Sequence, residues 1–207
     1  MAETKHKKRG SMATLLIILV VLIGITALIV MWPTEQEPTK TTQNSETDTE
    51  EEGVEDEVAA ATLIFAGDKA PDFSVQMLDG SRVILSRTEG KPTLLIFWAT
   101  WCSPCREELA HLQEGIIDVY GDSIRVLPIS RGEKREVVEA FINQMGYTFN
   151  VGIDPDQKIY NNYATNFIPR CFVIEANGNV LYSGVGYDEA VAAEVRDALD
   201  AALAKKM

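Results

Sequence analysis

Cysteine is scarce in this chain, with three in 207 residues, at positions 102, 105 and 171. That is too few for a small disulfide-stapled scaffold, which relies on several cross-links. Histidine is scarcer still: His6 and His111 offer little to a structural zinc site, which as a rule takes four ligands. Downstream of Arg9 there is no basic cluster, so no nucleic-acid partner is expected. No internal repeat is visible.

Acid is plentiful, and it is unevenly spread. The formal net charge is −12, but residues 33–57 alone carry ten Asp and Glu against Lys40. That stretch, PTEQEPTKTTQNSETDTEEEGVEDE, has one valine and no aromatic residue, a composition that cannot bury enough apolar surface to order itself. Residues 33–60 are therefore expected to be a disordered acidic linker. Before it, residues 12–32 (MATLLIILVVLIGITALIVMW) hold only Thr14, Gly24 and Thr26 outside the apolar class. About 20 such residues cross a bilayer as a helix. The run is longer than the apolar core of a cleaved signal peptide and lacks a clean cleavage site, so a transmembrane signal-anchor is expected. Lys5, Lys7, Lys8 and Arg9 precede the span, which leaves residues 1–11 cytoplasmic and everything after Trp32 on the extracytoplasmic side of the cell membrane. Disulfides form and persist there.

From residue 61 to 207 the pattern alternates between strand and helix. PDFSVQMLDGSRVIL predicts a hairpin turning at Asp79-Gly80, and the continuous apolar run 93–98 a strand buried on both faces. A helix is predicted over 103–119, a strand over 124–129, a helix over 132–145 ended by Gly146, a strand over 148–153 and a short helix over 157–163. A second hairpin then turns at Asn177-Gly178, and an Ala-rich helix closes the chain over 189–204. Strands separated by helices imply a parallel core with antiparallel hairpins at its edges, an α/β fold.

In FWATWCSPCREEL, Cys102 falls where strand gives way to helix. A sulfur there meets unsatisfied amide donors and the positive end of the helix dipole, which favours thiolate, the form that attacks a disulfide. Cys105 lies one turn on, on the same face, placed to displace a mixed disulfide formed at Cys102. A metal role would need further ligands. A purely structural disulfide would constrain only a tiny loop of the unfolded chain.

KPTLLIFWATWCSPCREEL, APDFSVQMLDG and DPDQKIYNNYATNFIPRCFVIEANGNVLYSGVG, in that order, resemble the membrane-anchored, thioredoxin-like TlpA/ResA-type thiol-disulfide oxidoreductases of the redoxin/AhpC-TSA superfamily, from about Ala70 to the C-terminus. The resemblance implies a thioredoxin-like fold with an N-terminal β-hairpin and an inserted α-β segment. It implies no bound cofactor or metal, protein disulfides as substrates, apocytochrome c before haem attachment among them, and an integral-membrane dithiol electron donor. It marks Cys102 as nucleophile, Cys105 as resolver and Glu108 as the acid near the cysteines. Pro169 matches the family's cis-proline, whose preceding backbone, at Ile168, pairs with substrate. Trp101 is expected to cover the site, and Trp98 to pack in the core.

Several positions carry no family counterpart. Thioredoxin itself has a buried acid six residues before its first cysteine, where this chain has Ile96. Cys171 replaces the usual threonine and reads as a small buried residue, Arg170 as a contact for an acidic substrate or a solvent-reaching side chain, and His111 as an exposed helix residue. Ser103 and Pro104 add no charge between the sulfurs, which favours a reductase. Two alternatives stay open, a disulfide-forming oxidase and a non-enzymatic chaperone or metal carrier on the same scaffold. A peroxidase is disfavoured because Ala99 stands where peroxiredoxins need threonine.

Overall fold

The computed structural model describes residues 47–87 and 89–205, with side chains from Gly53 onward. In chain order the elements are α1 (Thr47–Ala60), β1 (Ser74–Met77), β2 (Arg82–Ile84), β3 (Thr93–Trp98), α2 (Ser103–Leu112), α3 (Asp118–Tyr120), β4 (Arg125–Arg131), α4 (Arg135–Met145), β5 (Gly152–Asp154), β6 (Arg170–Ile174), β7 (Val180–Val185) and α5 (Glu189–Ala204). A π-helical stretch, Gln113–Ile117, joins α2 to α3.

Strand β3 is buried at every residue. Its period of two sends Leu94, Ile96 and Trp98 into one apolar cluster and Leu95 and Phe97 into another. Each such side chain, fully buried, contributes about 1.5–3 kcal/mol. A strand of this kind belongs at the centre of a covered sheet, and β3 lies between β4, parallel to it, and β6, antiparallel. The full order is β2-β1-β5-β4-β3-β6-β7. On the first face, Leu109 and Leu112 of α2, Val138 and Ile142 of α4 and Val195 and Leu199 of α5 close over the sheet. On the second face an aromatic group does so: Phe97 lies 5.3 Å from the rings of both Tyr160 and Tyr163, and Tyr163 lies 5.1 Å from Phe172.

Both hairpins form where expected. Gly80 and Gly178 each adopt φ +88, open to glycine without a Cβ penalty, and the Asp79 and Asn177 side chains accept from the amides of Ser81 and Asn179. Four expectations shift, the strand over 148–153 shortening to Gly152–Asp154. The helix over 132–145 starts at Arg135, because Gly132 turns at φ +72 and Glu133 points inward. The helix over 157–163 shrinks to one 3₁₀ turn, Tyr160–Asn162, with Asp154 Oδ2 accepting from the amides of Ile159 and Tyr160 just ahead of it. The disordered linker over 33–60 is corrected from Thr47 onward, where α1 forms. Its Glu and Ala residues favour helix, and its end is tied down by Thr62 Oγ1 donating to the Val58 carbonyl at 2.7 Å and by the Leu63 amide donating to Tyr163.

Residues 1–11, the expected span 12–32 and the linker as far as residue 46 lie outside the described residues. Among the described residues no helix is long and apolar enough to cross a membrane.

Strand β5 carries Gly152 between β1 and β4, where an added Cβ would stand 2.8 Å from Val75 Cγ2 and 3.2 Å from Ile129 Cγ1. Gly152→Ala is expected to lower the urea-unfolding midpoint by the equivalent of about 1–3 kcal/mol with an unchanged slope, the signature of overpacking without loss of the fold.

Candidate active site

The end of β3 delivers the chain to a helix start. Cys102 is the N-cap of α2 in extended conformation, and Pro104, which needs no amide partner, occupies its first turn. The Cys105 amide donates to Cys102 Sγ at 3.3 Å, so the sulfur sits on the unsatisfied donors of the helix start. Cys102 and Cys105 form a disulfide, Cα–Cα 5.3 Å. Cys102 keeps 6% of its surface exposed and Cys105 none, so a partner arriving from solvent reaches Cys102 first.

The loop between β3 and α2 is held from β4. In the parallel register Trp98 stands opposite Ser130, which brings Ala99 and Thr100 beside the turn after β4. Glu133, 9% exposed, fills the gap. Its Oε2 accepts from the Thr100 amide at 2.9 Å and from Ser130 Oγ at 2.8 Å, and its Oε1 from Thr100 Oγ1 at 2.5 Å. Sequence reasoning missed Glu133, since only the strand register places it next to the cysteine loop.

Across from Cys102, the Ile168–Pro169 peptide is cis, as the resemblance implies. The Ile168 carbonyl oxygen lies 3.6 Å from Cys102 Sγ, a contact and not a hydrogen bond while the sulfur is bonded to Cys105. Behind it, the Phe167 carbonyl accepts from Tyr160 Oη at 2.8 Å and Arg170 Nε at 3.3 Å, and Arg170 also donates to Asn166 and to Thr62 Oγ1. Arg170 is fully buried, which corrects the expectation that it meets a substrate or reaches solvent: two oxygens from the loop and one from the N-terminal segment draw it inward. Trp101, expected to cover the site, projects into solvent beside Cys102 with 67% of its surface exposed. Trp98 is in the core against Phe141, 5.6 Å between rings.

Glu108 lies one turn beyond Cys105 and is 6% exposed. Burial pushes its carboxyl up from 4.5 to about 7, against the lowering effect of a hydrogen bond from Cys171. Cys171 Sγ donates to Glu108 Oε1 at 2.7 Å, and among the described residues Oε2 has no hydrogen-bond partner. Burial, and then the charge of Glu108, push the Cys171 thiol up. Cys171 is buried in a central strand, as expected; its bond to Glu108 was not foreseen. His111 is exposed, donates from Nδ1 to the Glu107 carbonyl at 3.0 Å, and stacks on Tyr187 at 6.0 Å. A cavity of about 50 Å³ is lined by Glu108, His111, Tyr187 and Arg196 over a floor of Leu94 and Ile96. A dithiol at a helix tip with a near-neutral buried acid one turn away can exchange electrons with disulfides and move a proton as it does so.

Comparison with known proteins agrees with this chemistry. The AhpC/TSA family is matched over residues 66–183. The thiol-disulfide oxidoreductase ResA of Bacillus thuringiensis is 33% identical over 120 residues, 58% of this chain and 69% of that protein. Among solved structures, a Chlorobium tepidum protein assigned as the thiol:disulfide interchange protein DsbE is 31% identical with TM-score 0.62, covering 68% of this chain and 99% of its own. One from Bacteroides thetaiotaomicron, assigned as a protein disulfide isomerase, is 30% identical with TM-score 0.62, covering 68% and 93%.

The raised carboxyl has a consequence for stability. Folding holds the Glu108 proton more tightly than the unfolded chain does, so its contribution is intact below pH 4.5 and is lost as pH rises to about 7. Relative to the parent, oxidised Glu108→Gln is expected to gain about 3 kcal/mol in urea-unfolding free energy between pH 4 and pH 8. Parallel pH curves for the two proteins would refute the burial cost.

Proposed function

Because the chain belongs to the AhpC/TSA family and is a thiol-disulfide oxidoreductase of the ResA type, we propose that it reduces protein disulfides outside the cytoplasm, tethered by residues 12–32. The observation that carries this reading is the Cys102–Cys105 pair at the start of α2 with the buried Glu108 carboxyl, pushed up to about 7, one turn away.

In the reduced state Cys102, the more exposed sulfur, attacks one sulfur of the substrate disulfide. A Cys102–substrate bond forms, the substrate S–S bond breaks, and the first substrate thiolate departs. Cys105 is fully buried, where a thiolate is disfavoured, so it needs an acceptor at the moment it acts. Glu108 takes its proton. Cys105 then attacks Cys102 Sγ, the mixed disulfide breaks, and the second substrate thiolate leaves and is protonated from Glu108. Two electrons pass to the substrate and the Cys102–Cys105 disulfide remains. Its re-reduction requires an external dithiol, here proposed to be an integral-membrane donor. Trp101 and the Ile168-Pro169 edge offer an aromatic face and a backbone carbonyl on either side of the attacking sulfur. The proposed client is an apocytochrome c awaiting haem. The uncharged Ser103-Pro104 between the sulfurs supports reduction over oxidation, because it adds nothing that stabilises the reduced thiolate.

Full-length Cys105→Ser is expected to accumulate a mixed disulfide through Cys102, whose partner mass spectrometry identifies, while Cys102→Ser traps none. Equal trapping by both variants, or by neither, would overturn the assignment. Equilibration against glutathione is expected to give a potential nearer to about −270 mV than to about −120 mV; the higher value would make the protein an oxidase. Glu108→Gln should slow substrate reduction at least about tenfold.

A further inference from the structure

The proton role proposed for Glu108 leaves one buried reactive group unused, Cys171. It is 1% exposed in β6, directly opposite Ile96 of β3, and its side chain faces the same apolar cluster as Cys102 and Cys105. Among the described residues its thiol is the only hydrogen-bond partner of the Glu108 side chain, at 2.7 Å to Oε1, while Oε2 is buried and bonded to nothing.

We propose that Cys171 is a positioning residue for Glu108: its S–H occupies Oε1, fixes the orientation of the carboxyl, and leaves Oε2 as the oxygen that takes up and gives back the proton. This deepens the reading above and rests on it only for the catalytic use of that proton. The two acidic groups do not compete. Burial and the neighbouring carboxylate both oppose a Cys171 thiolate, so the thiol stays a donor while Glu108 changes charge. A thiol is also a weak donor. It orients the carboxylate and stabilises it modestly, where a lysine or arginine in the same place would hold it ionised and unable to accept and return a proton near neutral pH.

No other group in the surroundings does this work. From α2, His111 bonds the Glu107 carbonyl and stacks on Tyr187. Tyr187, ahead of α5, and Tyr182 of β7 both feel the Glu108 charge; Tyr182 is paired with Glu194 of α5. Arg196 of α5 lines the cavity beside Glu108 without bonding it. Cys102 and Cys105 are joined to each other.

The test compares side chains of matched shape with and without a donor. In oxidised protein labelled with ¹³C at the Glu side-chain carboxyl, with Glu108→Gln assigning the signal, Cys171→Val is expected to make Glu108 an acid about three- to tenfold weaker than in Cys171→Thr. Cys171→Thr should remain close to the parent. In reduced protein the pH profile of single-turnover disulfide reduction should move the same way in Cys171→Val and return in Cys171→Thr. If branched side chains disturb the fold, Cys171→Ala and Cys171→Ser are read as the same pair. Folded donor and non-donor variants whose Glu108 midpoints agree within twofold would overturn the assignment. The carboxyl signal does not depend on turnover. An unimpaired reduction rate in Glu108→Gln would therefore sink the proton role and leave the Cys171 bond standing, whereas coincident midpoints would do the reverse.

Discussion

The register of β3 against its two neighbours is the constraint on which the site depends. Pairing Phe97 with Arg170 on one side and Trp98 with Ser130 on the other brings three chain segments to the same end of the sheet. From β3 comes the loop carrying Trp101 and Cys102, from β4 the turn carrying Glu133, and from the approach to β6 the Ile168-Pro169 edge. A one-residue slip of β3 would exchange its two faces, sending Leu95 and Phe97 toward the helices, and would carry Cys102 away from its neighbours. The five apolar side chains of the strand oppose that slip because each face has a different core to fill. Sulfur placement is thus enforced by the packing of the strand that leads to it.

The electrostatics follow from what this packing leaves out. Among the described residues no cation bonds Glu108, so desolvation dominates and the carboxyl is pushed up to about 7. In thioredoxin the buried acid stands on the central strand, at the place taken here by Ile96. Ile96 is opposite Cys171, and Cys171 bonds Glu108. The carboxyl therefore approaches the same part of the core, but from the helix above the strand. Glu133 is bonded differently. It too is largely buried, yet three donors saturate its carboxylate and it serves to hold Thr100 in place. Two acids of similar exposure differ in use because one is fully hydrogen-bonded and the other has a single weak donor.

Features written in local sequence were legible in advance. The turn glycines, the doubly buried strand, the helical spacings and the position of Cys102 at a strand-to-helix junction each depend on a few neighbouring residues. What was not legible depended on distant partners. Glu133 has no local signature, being one acid after a glycine, and becomes informative only when β3 and β4 are in register. Arg170 reads as a surface cation until Asn166, Phe167 and Thr62 are seen to supply its oxygens. The helix within the acidic linker has the same origin. Its composition gives no reason to bury, but from Thr47 the chain leads into Ala61, buried, and Thr62, bonded to Arg170, so the helix inherits a fixed end.

That fixed end bears on how the site handles a substrate. Phe167 adopts φ +67, a conformation that costs a non-glycine residue about 1–2 kcal/mol, and it lies immediately before Ile168. Two donors on its carbonyl, from Tyr160 and Arg170, offset that cost, and both side chains are packed in the interior. The Ile168-Pro169 edge is thereby held rigid from behind. On the opposite side of Cys102, Trp101 projects into solvent, free to adjust to what arrives. Rigidity on one flank and freedom on the other suit an enzyme that must present its sulfur in one geometry to disulfides in different surroundings. The interior arginine is accounted for by the loop that it holds.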